Sequence, residues 1–223
     1  ALRGHKKGPD QLLYLLVTAL ISHRNADYVR SNALFEKAER LADRLHTRSA
    51  TREAASLLTN DAVRAYRGEP FELALINYYR ALNYCNLGQP EDALVECRKA
   101  NRKLARLASL GIGGKGYAND AFIHYLTGLI YEATGEWNDA SVSYRAAIEA
   151  YGKQSAFLGL APPSTLTRDL NRVETILDDS STSLSDEGLM RPGASTGEVV
   201  LFSEIGFVPR KTQEEINLPI YRG

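Results

Sequence analysis

Apolar residues recur at intervals of three or four along most of the chain, a period that predicts amphipathic α-helices rather than strands. The clearest stretch covers residues 119–151, where Gly135 separates two such helices. One face of the first helix carries Gly128 and Tyr131. The facing positions of the second are small or aromatic: Ala140, Tyr144 and Ala147. Because small residues let helices approach closely while aromatic rings fill the space beside them, the pattern predicts an antiparallel helix pair.

Two earlier segments repeat this pattern with the same internal spacing. The first copy consists of Ala81, Tyr84, Gly88, Ala93, Cys97 and Ala100. A fainter copy consists of Ala19, Ser22, Ala26, Ser31, Phe35 and Ala38. A helix pair cannot bury its apolar stripe alone, so recurring pairs imply stacking. The spacing therefore predicts a tetratricopeptide-type α-solenoid, and an unrelated helical bundle is the alternative.

The predicted fold class is all-α with a short extended or β tail. The predicted parts are a lead-in at 1–10, a tetratricopeptide-like helical domain at 11–178, a flexible linker at 179–196 and an extended tail at 197–223. Within the helical domain we expect repeats at about 12–46, 71–106 and 119–151, an insert helix at about 50–67 and a capping helix at about 164–178. The two apolar runs of the tail are too short for a stable sheet, so we expect the tail to pack on the helical domain or on a partner.

Charge and hydropathy exclude two classes of partner. Lys and Arg total 27 and Asp and Glu total 27, which gives a formal net charge of +0. Because such a chain has no overall positive field, we predict no nucleic-acid partner. No stretch reaches the roughly 20 apolar residues that span a bilayer. Residues 12–21 follow a basic run and resemble a signal peptide, but they lie in phase with the later repeats, which favours a helix of the first pair.

Motifs for catalysis, metal binding or cofactor binding are missing from the sequence. The four histidines have no ligand spacing with each other or with a cysteine, so we predict no metal site. Residues 111–116 are glycine-rich, but no Ser or Thr follows Lys115 as a phosphate loop requires. No serine lies in a nucleophile-elbow motif. We therefore predict a protein that is not an enzyme and that binds no cofactor.

A basic run lies on the second helix of the middle repeat, at Arg98, Lys99, Arg102, Lys103 and Arg106. Such a run indicates either an anion-binding site or a solvated outer face. The solvated face is the more common arrangement, and the sequence favours it.

Partner binding has a stronger physical basis than catalysis. In stacked helix pairs the first helix of each pair lines the concave side, at positions offset from those that face the second helix. These offset positions are predicted to bind a protein or peptide partner: Leu16, Leu20, Tyr78, Leu82, Tyr125 and Leu129. A surface this apolar is unfavourable in water, and tyrosines there suit an extended peptide or a helix. The alternative is that the chain's own insert helix or tail fills the groove.

Three segments of the chain resemble a bacterial family of uncharacterised tetratricopeptide proteins, many of them outer-membrane lipoproteins. These segments begin AASLLTNDAVRAYRGEPFELAL, DAFIHYLTGLIYEATGEW and GEVVLFSEIGFVPRK, and the similarity covers about residues 12–219. The most specific parts are YRGEPFE and GFVPRK. The resemblance implies an exported protein of the periplasm or outer membrane. It supplies no activity, since the family has no established catalytic residues to carry over. Contact with a membrane then requires a lipid anchor, and no cysteine before Cys85 provides one in this chain.

These observations lead to one functional prediction and one alternative. The prediction is a non-enzymatic scaffold of the bacterial cell envelope that binds a partner protein or peptide through the concave face of its repeats. The alternative is a structural subunit of a homo- or hetero-oligomeric envelope or extracellular assembly, which self-associates through residues 197–223.

Overall fold

The computed structural model describes residues 8–52, 65–109, 120–159, 161–182 and 199–202. The chain divides into two compact units, Ala1–Leu184 and Ser185–Gly223. Helices of the first unit, in chain order, are α1 Gln11–Arg24, α2 Tyr28–Arg52, α3 Pro70–Asn86, α4 Pro90–Ser109, α5 Ala121–Ala133, α6 Trp137–Leu158 and α7 Ser164–Thr182. The described residues contain no strand, so the all-α prediction is confirmed for them.

The helices form three antiparallel pairs that stack in chain order. Within the pairs, α1 packs on α2, α3 on α4 and α5 on α6. Between the pairs, α2 packs on α3 and α4 on α5, while α7 packs on α6. This is a helical-repeat, α-solenoid-like stack, and the predicted architecture is confirmed at that level. That the repeats are of the tetratricopeptide type stays a prediction.

The close approach within a pair depends on the small residues that define the repeat. A Cβ atom added at Gly128 would lie 2.4 Å from Cδ1 and from Cε1 of Tyr144, so only glycine fits opposite this ring. In the middle pair the equivalent positions are Ala81 and Cys97, both buried. A smaller side chain on the second helix leaves room for a methyl group on the first. In these two pairs, the side chains at the two positions match in size.

The helix α7 covers the apolar surface of the last pair. Its Leu166, Leu170 and Val173 join the buried cluster around Tyr144 and Tyr151. Polar contacts add to this packing, since Arg172 Nε donates to Glu132 Oε1 at 2.7 Å. A helix is therefore present where the capping helix was predicted, and it extends to Thr182.

Several predicted segments lie largely outside the described residues. Of the predicted insert helix, residues 50–52 form the end of α2, residues 53–64 are outside, and residues 65–69 have irregular backbone. The lead-in is described only from residue 8 and the linker only up to Thr182. Of the tail, residues 199–202 are described; they form neither helix nor strand. Self-association through this tail stays a prediction.

Candidate protein-binding site

The first helices of the three pairs lie side by side. The ring of Tyr79 on α3 lies 5.1 Å, between centroids, from the imidazole of His23 on α1. On the other side of α3, the ring of Tyr78 lies 5.6 Å from that of Phe122 on α5, in an edge-to-face arrangement that aromatic pairs favour. These contacts form one side of the stack from α1, α3 and α5, which we call the first-helix face.

A cavity of about 190 Å³ opens between α3 and α5 on this part of the molecule. It is lined by Ala74, Leu75, Tyr78, Leu104, Asp120, Phe122 and Ile123. Leu75 is 39% exposed, so the lining is reachable from solvent. Six of these seven side chains are apolar or aromatic, and a cavity of this composition suits an apolar group better than water.

Asp120 is the one charged residue of the cavity lining, and its first role is structural. As the N-cap of α5 it accepts a hydrogen bond at 2.9 Å from the backbone N–H of Ile123. Burial raises the pKa of this carboxyl above its ordinary value, although the backbone N–H groups and the nearby His124 oppose the shift. The carboxylate therefore starts the helix whose first turn forms one wall of the cavity.

The six predicted binding residues differ in how far this chain already covers them. Tyr78, Leu82 and Tyr125 are buried, whereas Leu16, Leu20 and Leu129 are half-buried. Of the six, only Tyr78 lines the α3–α5 cavity. Their role in partner binding stays a prediction.

Tyr125 shows what covers the end of the first-helix face. Its hydroxyl donates to Oδ2 of Asp169 at 2.6 Å and lies 2.9 Å from Oγ1 of Thr165, both on α7. Burial and the hydrogen bond to the Asp169 carboxylate raise the pKa of Tyr125 to about 12. The phenol is therefore held neutral and engaged by α7.

The prediction missed the cavity residues Leu75 and Phe122. The two residues occupy equivalent repeat positions, one helical turn before Tyr78 and Tyr125 respectively. A signal was present, because residues three apart on a helix share a face. Extending each predicted pair of positions by one turn toward the helix N-terminus would have found both.

A buried ionic cluster joins α2, α3 and α4. Arg80 lies between Glu39, at 3.1 Å, and Glu96, at 3.2 Å. Lys103 Nζ donates to Glu39 at 2.5 Å and to Oδ1 of Asn77 at 2.7 Å, and Asn77 donates to Glu96 at 2.6 Å. Burial alone would raise the pKa of Glu39, but Lys103, Asn77 and Arg80 outweigh it, and that pKa is lowered. Both carboxylates are paired with cations, which suits a structural cluster.

A second polar cluster links the first and second pairs. The side-chain amide of Asn83 donates to Ser31 Oγ at 2.9 Å and to Asn32 Oδ1 at 2.8 Å. Its oxygen lies 2.6 Å from Nδ1 of His23.

Among the described residues, no group of three or more His, Cys, Asp or Glu side chains is placed to hold a metal ion.

Comparison with protein families identifies the chain's relatives. Residues 10–187 match the model of a family described as cohesin loading factor. This chain belongs to the cohesin loading factor family. It matches no curated protein.

Membership in the cohesin loading factor family corrects the bacterial assignment. The predicted resemblance to bacterial lipoproteins is wrong, and so is the predicted location in the periplasm or outer membrane. No helix in the described part of the chain is long and apolar enough to cross a membrane.

The two motifs that supported the bacterial resemblance have little power to identify a family. In YRGEPFE, Tyr66 hydrogen-bonds Glu72, and Glu69 and Glu72 form a reciprocal capping box at the start of α3. The motif is thus a local helix-start device that unrelated proteins can share. GFVPRK, at residues 206–211, lies outside both the matched range and the described residues.

The prediction of a protein partner is confirmed in its general form. The description of the family as cohesin loading factor implies protein partners. Neither the exclusion of nucleic acid nor the lipid anchor is addressed by this match, and both stay predictions.

Proposed function

We propose that this chain works in cohesin loading as a non-enzymatic scaffold that binds a protein partner along the first-helix face. Family membership supports the process, and the repeat stack supports the scaffold role. A non-enzymatic role is supported by the buried titratable groups, because Glu39, Glu96, Arg80 and Lys103 bind one another. Because cohesin is loaded on chromatin, the proposal also implies that the protein acts in the nucleus.

The observation that carries the binding site is the α3–α5 cavity. Its volume of about 190 Å³ exceeds that of an apolar cavity of about 150 Å³ that accommodates benzene. A Leu or Phe side chain of a partner therefore fits. Burying such a side chain contributes about 1.5–3 kcal/mol to binding, enough for one anchor in a longer contact.

Replacing Leu75 by glutamate tests this site. The side chain is partly exposed, so the carboxylate can reach water without unfolding α3, but it places a charge at the entrance of the cavity. We expect the amount of cohesin that tagged Leu75→Glu protein captures from nuclear extract to fall by about tenfold. The reason is that the partner's apolar side chain can no longer be buried in the cavity. The amount of cohesin core subunits retained is the measurement.

Val142→Glu is the matched control. Val142 lies on α6, is 67% exposed and is not part of the cavity lining. This variant introduces the same charge and should capture as much cohesin as the unmodified protein, with equal helix content by circular dichroism. Undiminished capture by Leu75→Glu would exclude the cavity as the binding site.

A further inference from the structure

The second half of α4 concentrates positive charge in a chain whose formal net charge is +0. From Arg98 to Arg106, five of the nine residues are Lys or Arg and none is Asp or Glu. The sequence favoured a solvated face for this run. The structure divides its five cations into two groups with different surroundings.

Lys99 and Lys103 belong to the buried ionic cluster. Lys99 Nζ lies 2.9 Å from Glu96, and Lys103 Nζ lies 2.5 Å from Glu39. Both carboxylates also pair with Arg80. Two carboxylates thus serve three cations and have no capacity left to neutralise the remaining arginines.

The other three cations form an exposed row: Arg98, Arg102 and Arg106. Their spacing of four residues places them on one helix face at intervals of about 6 Å. Arg98 lies 3.4 Å from the hydroxyl of Tyr131, which orients its guanidinium toward α5. Within the described residues, no carboxylate pairs with any of the three. We call them the arginine row.

Three other exposed cations of the helical unit have acidic partners. Arg40 pairs with Glu36 one turn away, Arg145 lies 2.6 Å from Glu174, and Lys153 lies 2.6 Å from Glu149. The arginine row therefore differs from these sites in its local excess of positive charge. An acidic ligand gains more at such a row, because it displaces no existing partner.

We propose that the arginine row binds a run of Asp and Glu side chains on a partner protein. Alternate side chains of an extended segment lie on one side at intervals of about 6.6 Å, which matches the spacing of the row. Each guanidinium can bind a carboxylate through two parallel hydrogen bonds. This proposal depends on the proposed scaffold function in one respect, namely that the partner is a protein.

Nucleic acid fits the arginine row less well. Binding to duplex DNA draws its affinity from releasing counterions over many phosphates. The row offers three exposed cations over about 12 Å, and the chain as a whole has no net positive charge to attract a polyanion. A short acidic segment needs only contacts of that length.

Fluorescence anisotropy with a labelled peptide of four Ser-Glu repeats tests the proposal. We expect the full chain to bind it, the affinity to fall as salt is raised, and a Ser-Gln peptide of equal length not to bind. The variant Arg98→Gln/Arg102→Gln/Arg106→Gln should bind about tenfold more weakly, because three exposed ion pairs are lost. Its helix content should be unchanged, since all three side chains are exposed.

The control variant Arg40→Gln/Arg145→Gln/Lys153→Gln removes the same number of exposed charges from sites that already have acidic partners. It should bind the Ser-Glu peptide as the unmodified chain does. Equal losses in both variants, or no binding by the unmodified chain, would overturn the proposal. Tighter binding of a 20-base-pair duplex, lost in the arginine variant, would overturn it in favour of nucleic acid.

The cavity variant separates this proposal from the scaffold function. Leu75→Glu leaves the arginine row intact, so it should bind the Ser-Glu peptide normally even where cohesin capture is lost. Failure of the peptide to bind, with cohesin capture still dependent on Leu75, would reject the arginine row and leave the proposed function standing.

Discussion

The stack contains two junctions between helix pairs, and they differ in the polar contacts that cross them. The first junction, where the α1–α2 pair meets the α3–α4 pair, carries two polar clusters, around Asn83 and around Glu39. The second junction, where the α3–α4 pair meets the α5–α6 pair, is mainly apolar and contains a cavity of about 190 Å³. The cavity proposed to bind a partner thus lies at the junction with the fewer polar contacts.

The physical reason lies in what each kind of contact demands. A buried amide or ion must have partners at short, defined distances, so polar clusters fix how two pairs sit together. Apolar contacts have no preferred direction, and they tolerate a gap whose lining a ligand can later cover. One polar contact at the second junction joins Arg98 to the hydroxyl of Tyr131, at 3.4 Å.

Removing Glu96 should disrupt the ionic cluster at the first junction and have the largest effect, because Glu96 holds the Arg80 that binds Glu39 across that junction. The residue is 2% exposed, and its carboxylate binds Asn77, Arg80 and Lys99. Because Glu96→Ala leaves the buried Arg80 without one of its two carboxylates, we expect the free energy of unfolding to fall by about 3–5 kcal/mol. Urea denaturation followed by circular dichroism measures this.

Glu149→Ala is the control for charge removal. Glu149 also pairs with a lysine, Lys153, but at the surface, where ion pairs contribute little. Its urea midpoint should stay close to that of the unmodified chain. A loss for Glu96→Ala no greater than for Glu149→Ala would show that the buried ionic cluster does not stabilise the fold.

Filling the cavity tests the second junction in the same way. Ala74 lines the cavity, so Ala74→Leu has space for its added atoms and should raise the free energy of unfolding by about 1 kcal/mol. Ala81 lies two turns further along the same helix and is fully buried within the pair. Ala81→Leu should therefore lower the free energy of unfolding by about 1–3 kcal/mol.

Thermal denaturation compares the two leucine variants, and cohesin capture adds a functional readout. Ala74→Leu should be stable yet capture less cohesin, because its side chain occupies the proposed anchor site. If Ala74→Leu destabilises the protein as much as Ala81→Leu, the cavity is not available space.

How far the sequence predicted these features depends on how local they are. The helix pairs were predictable, because the positions of Gly128 and Tyr144 are repeated at the same spacing in each earlier copy. The ionic cluster was not, since Glu39 and Lys103 are 64 residues apart and belong to different repeats. The covering of Tyr125 by Asp169 of α7 likewise depends on how a helix without a repeat pattern packs. Neither kind of contact leaves a periodic signal.

Carboxylates at the two junctions should respond to pH in opposite directions, which is the smallest effect expected. The pKa of Glu39 is lowered from its ordinary value of 4.5, so its stabilising contribution is present above that value and is lost as pH falls through the lowered pKa. The pKa of Asp120 is raised from 3.8, so its protonated form favours the folded state, and that contribution is lost as pH rises through the raised pKa.

Melting temperatures measured from pH 3 to pH 7 should reveal this opposition. Glu39→Gln should lower the melting temperature at pH 7, and the difference from the unmodified chain should shrink as the pH falls toward the lowered pKa of Glu39. Asp120→Asn keeps a capping side chain without the buried charge, so it should raise the melting temperature at pH 7 and lose that advantage below about pH 4. If the melting-temperature difference of each variant from the unmodified chain stays constant across this range, the two carboxylates do not titrate as their surroundings require. The contrast between the two junctions would then not extend to Glu39 and Asp120.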